Sequence, residues 1–269
     1  MKKILSLIAV LMIAAAGAFA QTTAPAAQAE APKTAADLIK AGDELFAKFD
    51  DAGAQALYEQ AAKLEPENFE ALWKTAKGYI DVGDRMKPTN KAEEKKQIDL
   101  YITAEGYAKK AIKINPNDSQ VHFLNSAAMG MHALQLGKKQ QIAMSKEIRA
   151  EIEKAIELDA KNDLAWHALG RWERRMAEIG GVTRFFGGIL YGKIPKGSND
   201  EAVKDFQKAI EIKPDYSNHH LELGRTYLAL KKKDLAAKEF ELAIASPIST
   251  SKCADYIAEA KEELKKLKK

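Results

Sequence analysis

The side chains able to do chemistry are few, and they form no reaction centre. The histidines are His122, His132, His167, His219 and His220, and Cys253 is the only cysteine. A zinc site needs spaced Cys and His ligands or a His-Glu-x-x-His helix, and neither occurs. His219 and His220 are adjacent, so on a helix they point about 100° apart and do not share a metal. The histidines therefore read as ordinary packing or surface residues. There is no Gly-x-Ser-x-Gly elbow and no phosphate loop. Gly180, Gly181, Gly187, Gly188 and Gly192 have neither the preceding strand nor the spacing of a dinucleotide loop and read as hinges or tight turns. Cys253 has no activating neighbour beyond Lys252 and reads as a small helix residue. The expectation is a protein with no catalytic residue, metal or cofactor.

Recognition chemistry is better represented. When the repeats described below are aligned, Lys77, Arg171 and Arg225 fall at one position, and Trp73, Phe123 and His167 at another, one turn earlier on the same face. Arg174 and Arg175 follow one turn after Arg171. Positive charge beside aromatics suits an anionic end on an apolar body: a peptide carboxylate, or an anionic lipid head group. The plainer reading pairs these arginines with Glu173 or Glu222. Trp166 sits at a core position of the repeat, while Trp73 and Trp172 are unassigned. An apolar stretch, Val182 to Ile194, carries Phe185, Phe186, Ile189, Leu190 and Tyr191, a run costly to leave in water. It reads either as a lid or lipid-facing wedge, or as a short helix tucked against the repeats.

The elements that must position these residues are helical. Met1-Lys2-Lys3 is a short positive start, Ile4 to Ala16 is an apolar stretch without charge, and Ala18-Phe19-Ala20 is a small-x-small site: the build of a cleavable signal peptide, residues 1–20. Residues 21–33 are an Ala/Pro-rich tether. Periplasmic or secreted placement follows as the expectation. The formal charge of +4 falls to +2 without Lys2 and Lys3, which favours neither nucleic acid nor a polybasic membrane surface. After residue 33, Gly and Pro fall at boundaries and strong helix formers dominate. The strings AAKLEPEN, AIKINPND, AIELDAKND and AIEIKPDY recur, with Pro66, Pro116, Ala160 and Pro214 at one place in them. A proline there stops one helix and suits the start of the next.

This resembles the tetratricopeptide repeat, a helix-turn-helix unit of about 34 residues with small and large residues at fixed places. Residues 217–250 fit without a gap: Leu223, Gly224, Tyr227, Ala236, Phe240 and Ala243. The expected fold is an all-α helical-hairpin solenoid of about five repeats, near 35–68, 69–118, 119–162, 163–216 and 217–250, with a capping helix at 251–269. The proline-equivalent positions lie 50, 44 and 54 residues apart, so three units carry extra residues, near 85–100, 136–145 and 178–198.

Asp163-Leu164-Ala165-Trp166-His167, Gly170-Arg171-Trp172, the apolar insert, then Glu201-Ala202, Phe206 and Ala209-Ile210 resemble the regulator of microtubule dynamics family. The resemblance covers 115–269 and implies a helical repeat fold and a binding role. Microtubule binding does not carry over to a chain with an export signal. The expected function is a non-catalytic exported scaffold that holds an envelope protein or peptide in its groove. The alternative is a carrier of an anionic lipid or other amphiphile.

Overall fold

The computed structural model describes residues 34–134, 136–180, 184, 188–189 and 194–267. The expected signal peptide (residues 1–20), the expected tether (residues 21–33), and Phe185, Phe186, Leu190 and Tyr191 of the insert lie outside the described residues. Eleven helices are described. They are α1 (Ala35–Phe46), α2 (Asp51–Leu64), α3 (Phe69–Arg85), α4 (Lys91–Ile114), α5 (Ser119–Ala133), α6 (Lys138–Leu158), α7 (Asp163–Ala177), α8 (Asn199–Ile212), α9 (Ser217–Ala229), α10 (Lys233–Ala245) and α11 (Cys253–Leu267). They pair as five antiparallel hairpins plus α11, a tetratricopeptide-type solenoid.

Most helices start where a side chain can take up free amides. Thr34 and Asp37 form a reciprocal capping box on α1, and Asn68, Asn90, Asp118, Asn162 and Ser198 accept from the first-turn amides of α3, α4, α5, α7 and α8. The repeat signature works through close approach. A Cβ on Gly42 would stand 2.5 Å from the Tyr58 ring, and one on Gly224 2.5 Å from the Phe240 ring. Only a hydrogen there lets the two helices of a hairpin close over the aromatic. Around these contacts the interior is alanine-rich, with Ala61, Ala108, Ala155, Ala209 and Ala243 wholly buried.

The extra residues of the second and third units become helix. Both α3 and α4 run long, and α4 starts far enough out to add a second small-large contact, Gly83 against Tyr101. Gln97 Nε2 donates to the Gly83 carbonyl at 2.8 Å and ties the extension down. In the third unit the long α6 builds a pocket for Trp172, whose Nε1–H donates to the Ser145 carbonyl at 2.8 Å. Trp172 is therefore the buried tryptophan. Trp166, expected in the core, is only half-buried and closes a turn instead, donating to the Ala160 carbonyl at 3.0 Å.

Candidate functional site

First helices touch first helices down the array: α3 meets α5, α5 meets α7, α7 meets α9, and α9 meets α11. The second helices are spread apart, so the first-helix row is the inner, concave layer, which is the surface solenoids of this type offer to ligands. All eight groove candidates lie on it, in three settings.

Trp73 and Phe123 are half-buried in the cores between units one to three. Lys77 donates to Asp81 at 2.6 Å and lies 3.7 Å over the Phe46 ring, so its charge is already engaged.

The arginines of α7 and α9 converge on one carboxylate. Glu222 accepts from Arg225 Nη1 at 2.8 Å and from Arg174 Nη2. Burial alone would raise the Glu222 carboxyl, but Arg171, Arg174 and Arg225 together hold it below its usual range. Arg225 reaches on to Glu259 at 2.7 Å on α11. Arg175 is exposed beside Glu178. Arg171 differs: it is exposed, and among the described residues no carboxylate lies within 4 Å of it. The fields of Asp84 and Glu222 still reach it.

His167 does not face a groove at all. Its Nδ1 meets Nδ1 of His219 at 2.9 Å, His219 Nε2 meets Asp163 at 2.9 Å, and Asn218 Nδ2 reaches His167 Nε2 at 3.4 Å. One assignment satisfies the chain: His219 Nε2–H donates to the carboxylate, His167 Nδ1–H to His219, and the Asn218 amide to His167. Burial first, then neighbouring positive charge, hold His167 well below the usual imidazole value, and burial lowers His219 as well.

His122 and His220 have another task. Their Nε2 atoms bond the Pro116 and Pro214 carbonyls at 2.9 and 2.8 Å, and their Nδ1 atoms bond Glu151 and Glu239 at 2.6 and 2.7 Å. Trp166 serves the Ala160 carbonyl in the same way. One position of the repeat thus supplies a ring N–H that seals the turn from the previous unit, and a histidine fills it twice. For His220, burial alone would lower the pKa, but the bonds to Glu239 and Pro214 raise it.

The inner face is also closed across its ends. Ser251 Oγ donates to Asp51 at 2.5 Å, Arg85 Nη1 to the Ser251 carbonyl at 2.9 Å, Lys252 Nζ to the Asp84 carbonyl at 2.6 Å, and Lys87 to Asp255 at 3.2 Å. The start of α11 therefore rests on the first two units. Beneath it Tyr101 donates to Asp84 at 2.8 Å, repeating the Tyr58–Asp43 bond of 2.7 Å in the first unit. Burial raises the Asp84 carboxyl despite Tyr101, Lys252 and Arg171.

The sequence profile described as Regulator of microtubule dynamics protein 1-3 matches residues 38–268. The chain belongs to that family. It is 30% identical to regulator of microtubule dynamics protein 1 of Mus musculus over 219 residues, covering 81% of this chain and 70% of the mouse protein. The Rattus norvegicus protein is 32% identical over 71% of this chain and 61% of its own length. Among solved structures, TTC0263, a thermophilic tetratricopeptide protein of Thermus thermophilus, aligns with a TM-score of 0.61 at 16% identity. It covers 85% of this chain and 100% of its own, which supports the fold.

In this family member the insert is anchored by a residue the sequence did not single out. Arg184 donates to the carbonyls of Met176 at 2.6 Å, Ile179 at 3.1 Å and Pro195, so one guanidinium gathers both ends of the insert. Ile189 is 68% exposed. Two open cavities, about 460 and 540 Å³, lie at the turns, the first between residues 117–120 and 158–164, the second at residues 65–68. Among the described residues no helix is long and apolar enough to cross a membrane, and no cluster of His, Cys, Asp or Glu fits a metal ion. The sequence offers Glu222 as a partner of these arginines, but not its sharing between Arg225 on its own helix and Arg174 on the first helix of the preceding unit.

Proposed function

We propose that this chain is a non-catalytic repeat scaffold whose inner face, centred on Arg171, binds an acidic or carboxylate-ended segment of a protein partner. The observation that carries the reading is the state of Arg171. Lys77, Arg174, Arg175 and Arg225 all have carboxylate partners, whereas Arg171 faces the concave side with none within 4 Å among the described residues. An exposed guanidinium with no carboxylate in contact favours a planar, bidentate anion. The composition of residues 1–20 supports export, which would put the partner in the cell envelope and remove microtubules as a target, although the relatives are named for them.

The test is crosslinking in envelope fractions with the wild type and Arg171→Ala. The expected result is loss of the wild-type partners in the variant. Identical partner sets would overturn the assignment of the face. Native mass spectrometry of the same material serves the amphiphile alternative: a mass released by organic solvent would move the reading from a peptide to a lipid.

A further inference from the structure

We infer that the solenoid is a closed ring with a releasable clasp, in which the start of α11 locks units one and two to unit five and its release widens the inner face around Arg171. The inference rests on the inner face being the binding surface, and it makes the width of that surface adjustable.

The two ends of the clasp are built differently. Toward unit five, α11 is held by packing: Ala260 is wholly buried, and Tyr256, Leu264 and Leu267 pack against the core of α9 and α10. Toward units one and two the described bonds are polar: Ser251 to the buried Asp51 and Lys252 to the Asp84 carbonyl, both part-buried, and, at the rim, Arg85 to Ser251 and Lys87, 81% exposed, to Asp255. Apolar packing is insensitive to salt, whereas exposed charge pairs are screened by it. The joint therefore parts on the side of α3 while α11 stays with unit five. Residues 246–252, between α10 and α11, contain no helix and supply slack.

Closure also controls what the inner face presents. With the clasp shut, Asp84 lies close enough to Arg171 and to Tyr256 for their charges to act on one another. Opening moves the Asp84 carboxylate away from Arg171 and weakens its through-space field on a guanidinium that is already exposed. An anionic segment and Asp84 thus act on one charge, which makes ligand binding and opening linked equilibria. The sparsest interface between successive hairpins, α6 on α7, is the natural place for the change in curvature. It is spanned by the Arg149–Glu173 pair at 3.0 Å and the Trp172–Ser145 bond.

The experiment is pulsed dipolar spectroscopy on the full chain, with spin labels at Lys95→Cys on α4 and Glu262→Cys on α11 in a Cys253→Ala background. At about 0.1 M salt one short distance is expected. At about 1 M salt, where the screening length falls to about 3 Å, or with Arg85→Ala and Lys87→Ala, a second population longer by at least ~5 Å, about one helical turn, should grow in. Helicity by circular dichroism should stay constant. A single unchanged distance under both treatments would overturn the clasp, as would lengthening that tracks loss of helicity. Small-angle scattering of the unmodified protein at both salt levels repeats the test without substitutions, an unchanged radius of gyration counting against opening. None of these readouts needs the partner, so failure of the clasp is separable from failure of the Arg171 assignment.

Discussion

His167 and His219 meet Nδ1 to Nδ1 at 2.9 Å in the buried joint between α7 and α9, a contact that holds one proton and not two. Acid must break it. Both imidazoles titrate below their unfolded value of about 6.5, so between that value and the native ones the unfolded chain binds more protons. Stability therefore rises with pH through this window and is lost as pH falls below about 6.5. Denaturant titrations between pH 7 and 5 should show this loss, and His167→Gln should flatten the slope by about one proton. An unaltered slope in the variant would show that the pair does not titrate.

His220 should behave in the opposite sense. Its pKa is raised by Glu239 and the Pro214 carbonyl, so its contribution is full below about pH 6.5 and disappears as pH rises through the native value. His220→Gln should cost about 1–2 kcal/mol at pH 6 and less at pH 8, in line with a hydrogen bond to a charged group. Equal costs at the two pH values would contradict the charged state.

Asp205 is a carboxyl out of place. Burial, then Glu173 and Glu201, push it up to about 7. The folded chain therefore holds a proton there that the unfolded chain releases above about 3.9, and stability falls as pH rises from that value through 7. Asp205→Asn should stabilise the protein at pH 8 by about 1 kcal/mol, a figure discounted for the nearby Arg149 and Lys204. The gain should vanish near pH 4. Thermal melts at the two pH values decide it.

Gly224→Ala tests the repeat packing. The new methyl would sit 2.5 Å from the ring of Phe240, which is wholly buried and has nowhere to go. Overpacking of this kind costs roughly 1–3 kcal/mol. Adding Phe240→Leu should recover part of it, and a double variant no better than the single one would show that the strain lies elsewhere.

Glu222→Gln should destabilise by about 1–3 kcal/mol, less than a fully buried pair because Arg174 and Arg225 keep 20% and 28% of their side-chain surface. It should also raise the affinity of the inner face for acidic peptides by leaving three guanidiniums short of charge. Isothermal titration with a poly-Glu peptide would show this, and weaker binding would count against the face as an anion site.

The hairpin architecture is readable because its code is local. Gly224 with Phe240, or Gly42 with Tyr58, lies within one unit, and the turn prolines sit beside the caps they precede. The state of the cations is readable in part: Glu222 stands three residues from Arg225 on one helix and is named as its partner from sequence, whereas Arg174 reaches the same carboxylate across 48 residues, a pairing that periodicity does not carry. Trp166 and Trp172 escape the pattern for a related reason: the repeat assigns positions for a helix of standard length, whereas the extended α6 creates a pocket that the pattern does not contain. His122 and His220 read from sequence as ordinary histidines, yet each stands six residues after a proline whose carbonyl it binds. That spacing is visible in the sequence and becomes meaningful only once Trp166 is seen bonding Ala160.

The bond from Ser251 to Asp51 spans 200 residues. An open array of repeats melts from its ends, and each unit answers only to its neighbours. Joining the first unit to the last removes both free ends, so fraying should be suppressed and the array should unfold more nearly as one cooperative block. The same bond sets an order in biogenesis. Because the chain emerges from its N-terminus, units one and two must wait with their clasp residues bare until almost the whole protein has been made, and any truncation before residue 251 leaves a spiral that cannot close.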